Sequence, residues 1–542
     1  MLAGASMSNE SQLKRHVSGL GLLFISLGAM IGSGWLFAAL YAASTAGPAS
    51  ILSWVIGSVM VGVIAIVFAE LGAMLPLAGG LARFPHIAFG GLTSFIAGWL
   101  CWLGYVVIAP VETLAILEYL GNIIPWLTTT EGNERSLTIA GTAVAAAILC
   151  GVSVINLLGV RWVSHSNTWL TWWKIAVPVA TALVLMAYGF DSENFSRFGF
   201  MPTGWSGVFA AVASGGVVFS LVGFRAAIEL AGEARNPQRD IPRAIIGSVI
   251  ITTIIYIVLQ VAFIGVIPEE QLAQGWSGIV EKGSSGPFAA FAMVLGLSWL
   301  AIVLYIDATV SPLGTALVYT AGTARLVLAM STNRSIPRVL GRLTRRGIPL
   351  VALMVNLIVG MTMLAPLPGW DELAGIVSAT TLLTGGIGAL GMLVLRRRFP
   401  DIPRPFRVPM GEWVAALAFV FASLIFFWCG WEINRTVLIV LVAGLCLLVC
   451  MRPCMGSKAS ELHVKSGIWV LVYLAGMFIL SWLSTYRGGA MIIPSPWGEC
   501  AVAMWCLVTI PIAIRSGLGR EQSAELMDEA VREIKDMPEE FS

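Results

Sequence analysis

The sequence predicts an all-α integral membrane protein: an inverted repeat of five plus five membrane helices, followed by about four additional C-terminal transmembrane helices. Three observations carry this. Of the 542 residues, 57% are hydrophobic and only 11% are charged, and the mean hydropathy of +0.86 lies far above that of a soluble domain. Apolar runs of the ~20 residues a helix needs to cross hydrocarbon recur along the whole chain. Glycine-rich interruptions fall in the first and sixth runs, five spans apart, as expected when two broken helices hold equivalent places in inverted halves.

Fourteen spans follow in order. Ten form a first block, at about 20–40, 48–75, 93–122, 137–158, 166–188, 206–232, 243–266, 288–329, 350–366 and 372–396. Two lie at about 412–429 and 434–451, and two more, at about 467–485 and 497–515, come after a polar break at Ser457–Lys465. The expected organisation is a tail at 1–19, repeats at 20–200 and 201–400, spans eleven and twelve in 401–456, spans thirteen and fourteen in 457–516, and a tail at 517–542. The eighth run is too long for one crossing and should continue into the cytosol as a helix.

Charge sets the orientation. With the N-terminus in the cytosol, 25 of the 32 Lys and Arg residues fall in inside loops and tails, among them Arg235, Arg239, Arg243, Arg334, Arg338 and Arg396–Arg398. Five fall outside (Arg135, Arg197, Lys282, Arg435 and Arg487) and two, Lys174 and Arg225, within spans. This asymmetry places both termini inside. The polar start, Met1–His16, lacks an apolar core running directly into a small-residue cleavage site, so the first span should be retained. The tail after Arg515 carries Leu526, Ala530 and Ile534 at helical spacing and should form a surface helix. A net charge of +2 gives no nucleic-acid footprint. Cys101, Cys150, Cys429, Cys446 and Cys450 lie in apolar runs and read as packing residues. His16, His86, His165 and His463 show no ligand spacing, so neither a metal nor a cofactor is expected.

The interruption in span one is Gly28-Ala-Met-Ile-Gly-Ser-Gly34. Backbone in hydrocarbon must satisfy its own hydrogen bonds, so a break at mid-membrane depth makes sense where freed N–H groups face a cavity or ligand. A half-helix N-terminus there would suit a carboxylate. The alternative is close helix packing through small residues. Span six is interrupted at Ser214-Gly-Gly216 and again at Phe219-Ser-Leu-Val-Gly223.

Six segments, in this order, resemble the amino acid–polyamine–organocation superfamily of transporters across spans one to ten. They are Gly28–Gly34, Ala69-Glu-Leu-Gly-Ala-Met-Leu-Pro-Leu-Ala-Gly-Gly80, Gly98-Trp-Leu-Cys-Trp102, Gly232-Glu-Ala-Arg-Asn-Pro-Gln-Arg-Asp-Ile-Pro242, Arg325–Pro337 and Arg396-Arg-Arg-Phe-Pro-Asp-Ile-Pro-Arg-Pro-Phe-Arg-Val-Pro409. The resemblance implies a LeuT-like fold working by alternating access. It implies that an amino acid carboxylate meets backbone N–H groups at Ser33 and Gly34. The α-amino group would meet carbonyls at Met30, Phe219 and Val222, and the Phe219 ring would cover the substrate. Lys174 matches a span-five lysine that takes a cation-like place in some proton-coupled members. The two spans beyond twelve depart from the commonest family pattern.

Ionisable groups at membrane depth are costly and functional by default. Arg225 offers a permanently charged fork matched to a carboxylate. If it faces the site it favours a second substrate carboxylate, aspartate or glutamate, and Gly223-Phe-Arg225 is similar to a segment of the family's aspartate–proton symporters. The competing reading is an internal pair with Glu229, four residues on. Lys174, among Trp172, Trp173 and Ile175, suits a proton carrier if desolvated; otherwise its stem snorkels to the edge near Arg161 and His165. Glu112, Glu118 and Asp307 are further proton-taking candidates or partners for Arg225, and Thr315 falls where span eight could face Lys174. Glu70 reads as structural, and Trp99, Trp162, Trp205 and Trp370, near span ends, as interfacial anchors.

The leading expectation is therefore a secondary transporter in the cell membrane that imports an acidic amino acid with protons. Its alternatives are an amino acid or amine exchanger and a non-transporting amino acid sensor. No nucleophile–base set, phosphate loop or ATPase motif is present, which argues against an enzyme or a primary pump. The expected partners are the amino acid, protons and the lipid bilayer.

Overall fold

The computed structural model describes residues 17–131, 134–158, 160–273, 275–280, 286–344, 347–364, 369–455 and 461–535. Lys14, Arg15, His16, Lys282, Arg345, Arg346 and Lys458 lie outside them, as do the side chains of Arg161, Trp162 and His165.

The two halves of span one are separate helices, α1 (Gly19–Met30) and α2 (Ser33–Ala46). Then come α3 (Ser50–Met74), a short α4 (Gly80–Phe89), α5 (Gly91–Leu120), α6 (Ile139–Leu158) and α7 (Val160–Gly189). Span six is α8 (Gly204–Ala213), α9 (Val217–Leu221), a 3-10 turn at Val222–Arg225, and the single turn α10 (Ala226–Glu229). Further on lie α11 (Pro237–Val266), two short helices α12 (Glu269–Leu272) and α13 (Pro287–Val294), and α14 (Ser298–Thr332). The chain continues with α15 (Leu350–Thr362), α16 (Trp370–Arg398), α17 (Gly411–Trp428) and α18 (Trp431–Met455). It closes with α19 (Val464–Leu483), α20 (Trp497–Ser516) and α21 (Arg520–Lys535).

Among the described residues eleven helical stretches are long and apolar enough to cross a membrane, or twelve with the bent pair of span six. One of them, Ser33–Met74, is 42 residues long. At 1.5 Å per residue that is about 63 Å, twice the hydrocarbon thickness. It divides at a 3-10 turn, Gly47–Ala49, where Gly47 takes φ +63°. Divided there, with α1 joined to α2 and the shorter apolar α15 included, the helices fall where the fourteen spans were placed. Two details differ from the all-helical expectation. The span three–four loop holds an antiparallel hairpin, Thr128–Glu131 with Glu134–Leu137. The long eighth run is split, because Gly296 at φ +73° ends α13 before α14 begins.

The most enclosed helices are α5 and α16. The first packs along α14 and α16, while α11 packs along α1 and α3, and α16 along α17. These contacts surround the two breaks. At one end of the bundle, Glu70 receives hydrogen bonds from Arg396 and from the Val408 N–H (2.8 Å) and lies 3.4 Å from Arg404, a structural tie as expected. At the same end Arg325 donates to Glu233 at 2.6 Å, and Val17 exchanges backbone bonds with Glu233 and Arg235. The surface helix α21 docks on α4: the Leu518 N–H donates to Ala88 O at 3.0 Å and Ser523 Oγ to Ile87 O at 2.9 Å. Spans thirteen and fourteen pack on the block, α19 against α5 and α20 against α17.

Candidate functional site

The break in span one is made by chain that cannot continue its helix. The last bond of α1 ties the Ile31 N–H to Leu27 O, and Gly32 (φ −124°, ψ −136°) turns the backbone before α2 starts. The N–H of Ser33, the first residue of α2, donates to Glu112 Oε2, 2.7 Å away. A side chain at position 32 would meet Glu112 Oε1 at 2.7 Å and Thr315 Oγ1 at 2.6 Å, so glycine leaves room for both groups. Span six breaks beside it. Gly216 adopts φ +84°, and the two halves of the helix bend by 43°. The broken helices touch: a Cβ on Gly34 would strike Ser220 Oγ, and one on Gly223 would lie 2.6 Å from the Met30 N.

Spans five and eight close one side. Lys174 Nζ donates to Gly28 O at 2.7 Å and to Thr315 Oγ1 at 2.9 Å, so this buried ammonium bridges spans one, five and eight. It does not snorkel. Asp307 accepts from Trp35 Nε1 (3.0 Å), Trp173 Nε1 (2.7 Å) and Ser311 Oγ (2.7 Å). Met30 O, one of the expected amine contacts, accepts from Tyr256 OH at 2.7 Å. Phe219 and Val222 are buried at the span-six break.

Arg225 is also buried, and its surroundings differ from the internal pair with Glu229. Its Nη2 donates to Cys101 Sγ at 2.9 Å, and its guanidinium carbon lies 5.1 Å from the centre of the Tyr105 ring. Among the described residues its Nε and Nη1 have no hydrogen-bond partner, nor has either oxygen of Glu229. The i,i+4 pair is therefore not formed. Such pairs need a regular 3.6-residue turn, and here a 3-10 turn at Val222–Arg225 precedes the single turn of α10. Neither Glu112 nor Asp307 partners Arg225; both bind elsewhere, as above.

Trp370 requires a correction. It was expected to be an interfacial anchor, yet it is fully buried. Its Nε1 donates to Ser33 Oγ at 2.8 Å, and its ring stacks on Tyr41 (5.5 Å) and meets Phe219 edge-on at 5.3 Å. Cys101, taken for packing, is the acceptor for Arg225. Trp35, Ser311 and Tyr256 also escaped the sequence, as did the bond of Trp173 to Asp307. Only Ser311 carried a signal there, lying one helical turn from Asp307.

Residues 17–478 match the family model described as amino acid permease. The chain belongs to the amino acid permease family. It is thus a member of the amino acid–polyamine–organocation superfamily, an integral membrane transporter of amino acids and not an enzyme. The permease is 38% identical to the glutamate/serine transporter AimA of Bacillus subtilis over 517 residues, 94% of this chain and 95% of that one. It is 32% identical to the aspartate-proton symporter of the same organism over 515 residues, 94% of this chain and 98% of the other. A third relative, the branched-chain amino acid permease BcaP of B. subtilis, is 29% identical over 454 residues, 81% of this chain and 94% of its own.

Proposed function

We propose that this permease imports an acidic amino acid with protons, by alternating access between two inverted five-helix halves, with both termini in the cytosol beneath the cell membrane. The observation that carries the acidic substrate is Arg225. A permanently charged fork is buried one turn beyond the span-six break with two nitrogens unpartnered. Burying a charge without a partner is costly, and a substrate side-chain carboxylate would supply that partner. The activities of two relatives, glutamate/serine transport and aspartate–proton symport, agree with it.

In this reading the α-carboxylate takes the N–H groups of Ser33 and Gly34, the positive end of a half-helix. The α-amino group takes the carbonyls of Met30, Phe219 and Val222. Glu112 competes with the α-carboxylate for this place, since it accepts from the Ser33 N–H. A proton on Glu112 weakens that hold and admits the substrate. Lys174 ties α1 to spans five and eight while charged and releases it when the proton leaves, with Asp307 as the neighbouring acceptor. The permease needs no metal or cofactor for these steps.

The test is uptake of labelled aspartate, glutamate, serine and leucine into proteoliposomes, with and without an inward proton gradient and with no substrate inside. Uphill accumulation of the acidic pair, dependent on the gradient, is expected. Accumulation only with substrate preloaded inside would make the protein an exchanger, and binding without any accumulation would make it a sensor.

A further inference from the structure

The family match ends at residue 478, near the end of span thirteen, yet the connection that follows it to span fourteen is tightly built. The Ile493 and Ala490 N–H groups donate to Leu483 O and Trp482 O at 2.9 and 2.7 Å, and Tyr486 meets Phe427 edge-on at 5.5 Å. This fold presents Arg487. Its Nη1 lies 3.1 Å from Asp371 Oδ2, its Nη2 3.7 Å from Glu372 Oε1 and its Nε 3.0 Å from Glu432 Oε2. The backbone joins in, the Glu432 N–H donating to Arg487 O at 3.1 Å. Gly430, at φ +83°, allows this approach: a Cβ there would lie 2.7 Å from that of Arg487.

Asp371 and Glu372 are in the first turn of α16, directly after Trp370. One peptide bond therefore separates the cation's anchor from the ring that caps Ser33. We propose that the connection between spans thirteen and fourteen is a strap, and that Arg487 is a positioning residue holding the start of span ten, and with it Trp370, closed over the break in span one. Three carboxylates from two helices converge on one guanidinium, which makes a network rather than an isolated pair. An isolated surface pair would contribute little. Opening the path to Ser33 from this face requires Trp370 to leave Ser33 Oγ, and the strap opposes that. The inference rests on the reading that the span-one break holds the substrate.

The test measures opening, not transport, so it fails independently of the substrate assignment. Ser33→Cys is placed in the full chain, a membrane-impermeant methanethiosulfonate is applied on the face that carries residue 487, and modification at position 33 is read by mass spectrometry. Arg487→Gln should raise the labelling rate about 3- to 10-fold, the weight of a small ion-pair network. Exchanging the charges, Asp371→Arg with Arg487→Asp, should bring the rate back toward the parent. Glu412→Gln, which breaks the comparably exposed Arg397–Glu412 pair at 2.8 Å, should leave it unchanged. If Arg487→Gln fails to fold, the parent reporter alone decides: raising the salt from roughly 0.1 to 1 M screens the partly exposed network and should speed labelling. An equal labelling rate in Arg487→Gln and its parent, or in the parent no response to salt, overturns the proposal.

Discussion

Two clusters of buried ionisable side chains flank the breaks, and they are built on opposite terms. Around Lys174 and Asp307 nearly every polar atom has a fixed partner: Gly28 O and Thr315 for the ammonium, and Trp35, Trp173 and Ser311 for the carboxylate. Around Arg225 and Glu229 the polar atoms are mostly left without one. A buried charge is tolerated when it is fully hydrogen-bonded and is costly otherwise. The satisfied cluster holds the arrangement of spans one, five and eight. The unsatisfied one leaves two guanidinium nitrogens and a carboxylate without a partner among the described residues. In the proposed function the first moves protons and the second reads the substrate.

The largest expected effect falls where the broken helices touch. Gly34→Val forces a side chain into Ser220 and pushes α9 from α2; amino acid binding should weaken about 100-fold, the scale of severe overpacking. Unchanged affinity in the folded variant would remove the break from the site. Next comes Arg225→Ala. Glutamate and aspartate affinity should fall about 10- to 100-fold, the range for a lost charge-assisted hydrogen bond, while serine affinity holds. An equal loss for all three would mean that Arg225 supports the fold and does not read the substrate.

These contrasts were only partly legible in the sequence. Glycines and serines inside an apolar run betray both breaks, because lipid forbids unsatisfied backbone. Lys174, Arg225, Glu112 and Asp307 stand out because a charge at that depth needs a reason. Their partners do not stand out. Trp35 and Asp307 are 272 residues apart in the chain, and nothing local announces such a pair. Trp370 misleads for a sharper reason: a tryptophan opening a span resembles an interfacial anchor, and only the lie of α16 across the span-one break turns it inward. The Arg225–Glu229 pair fails because sequence spacing assumes a regular helix where the chain makes a 3-10 turn.

Two smaller effects should leave both clusters untouched. Glu70→Gln breaks the tie to Arg396 and Arg404, both near one end of the bundle. It should lower the melting temperature by several degrees, as loss of a buried ion pair does, and leave the glutamate-to-serine affinity ratio unaltered. A changed ratio would place Glu70 in the site. His86, on α4 outside the spans, is buried and held neutral; burial first, then the charges of Arg83 and His463, push it down to about 4 from 6.5. Its contribution to stability is therefore complete above pH 6.5 and is lost as the pH falls from 6.5 toward 4. Amide protection factors in α4 and α21, taken against the intrinsic exchange rate at each pH, should fall between pH 7 and 5, and His86→Leu should blunt that fall. The same fall in protection in His86→Leu would assign the pH response to another group.

The division of labour between the clusters is tested most directly by uphill accumulation of glutamate under an inward proton gradient, measured for Lys174→Ala beside the parent chain. The account predicts that the variant still binds glutamate, through Arg225 and the Ser33 and Gly34 N–H groups, but no longer concentrates it. Full gradient-driven accumulation by Lys174→Ala would contradict the assignment and move the proton to Glu112 or Asp307.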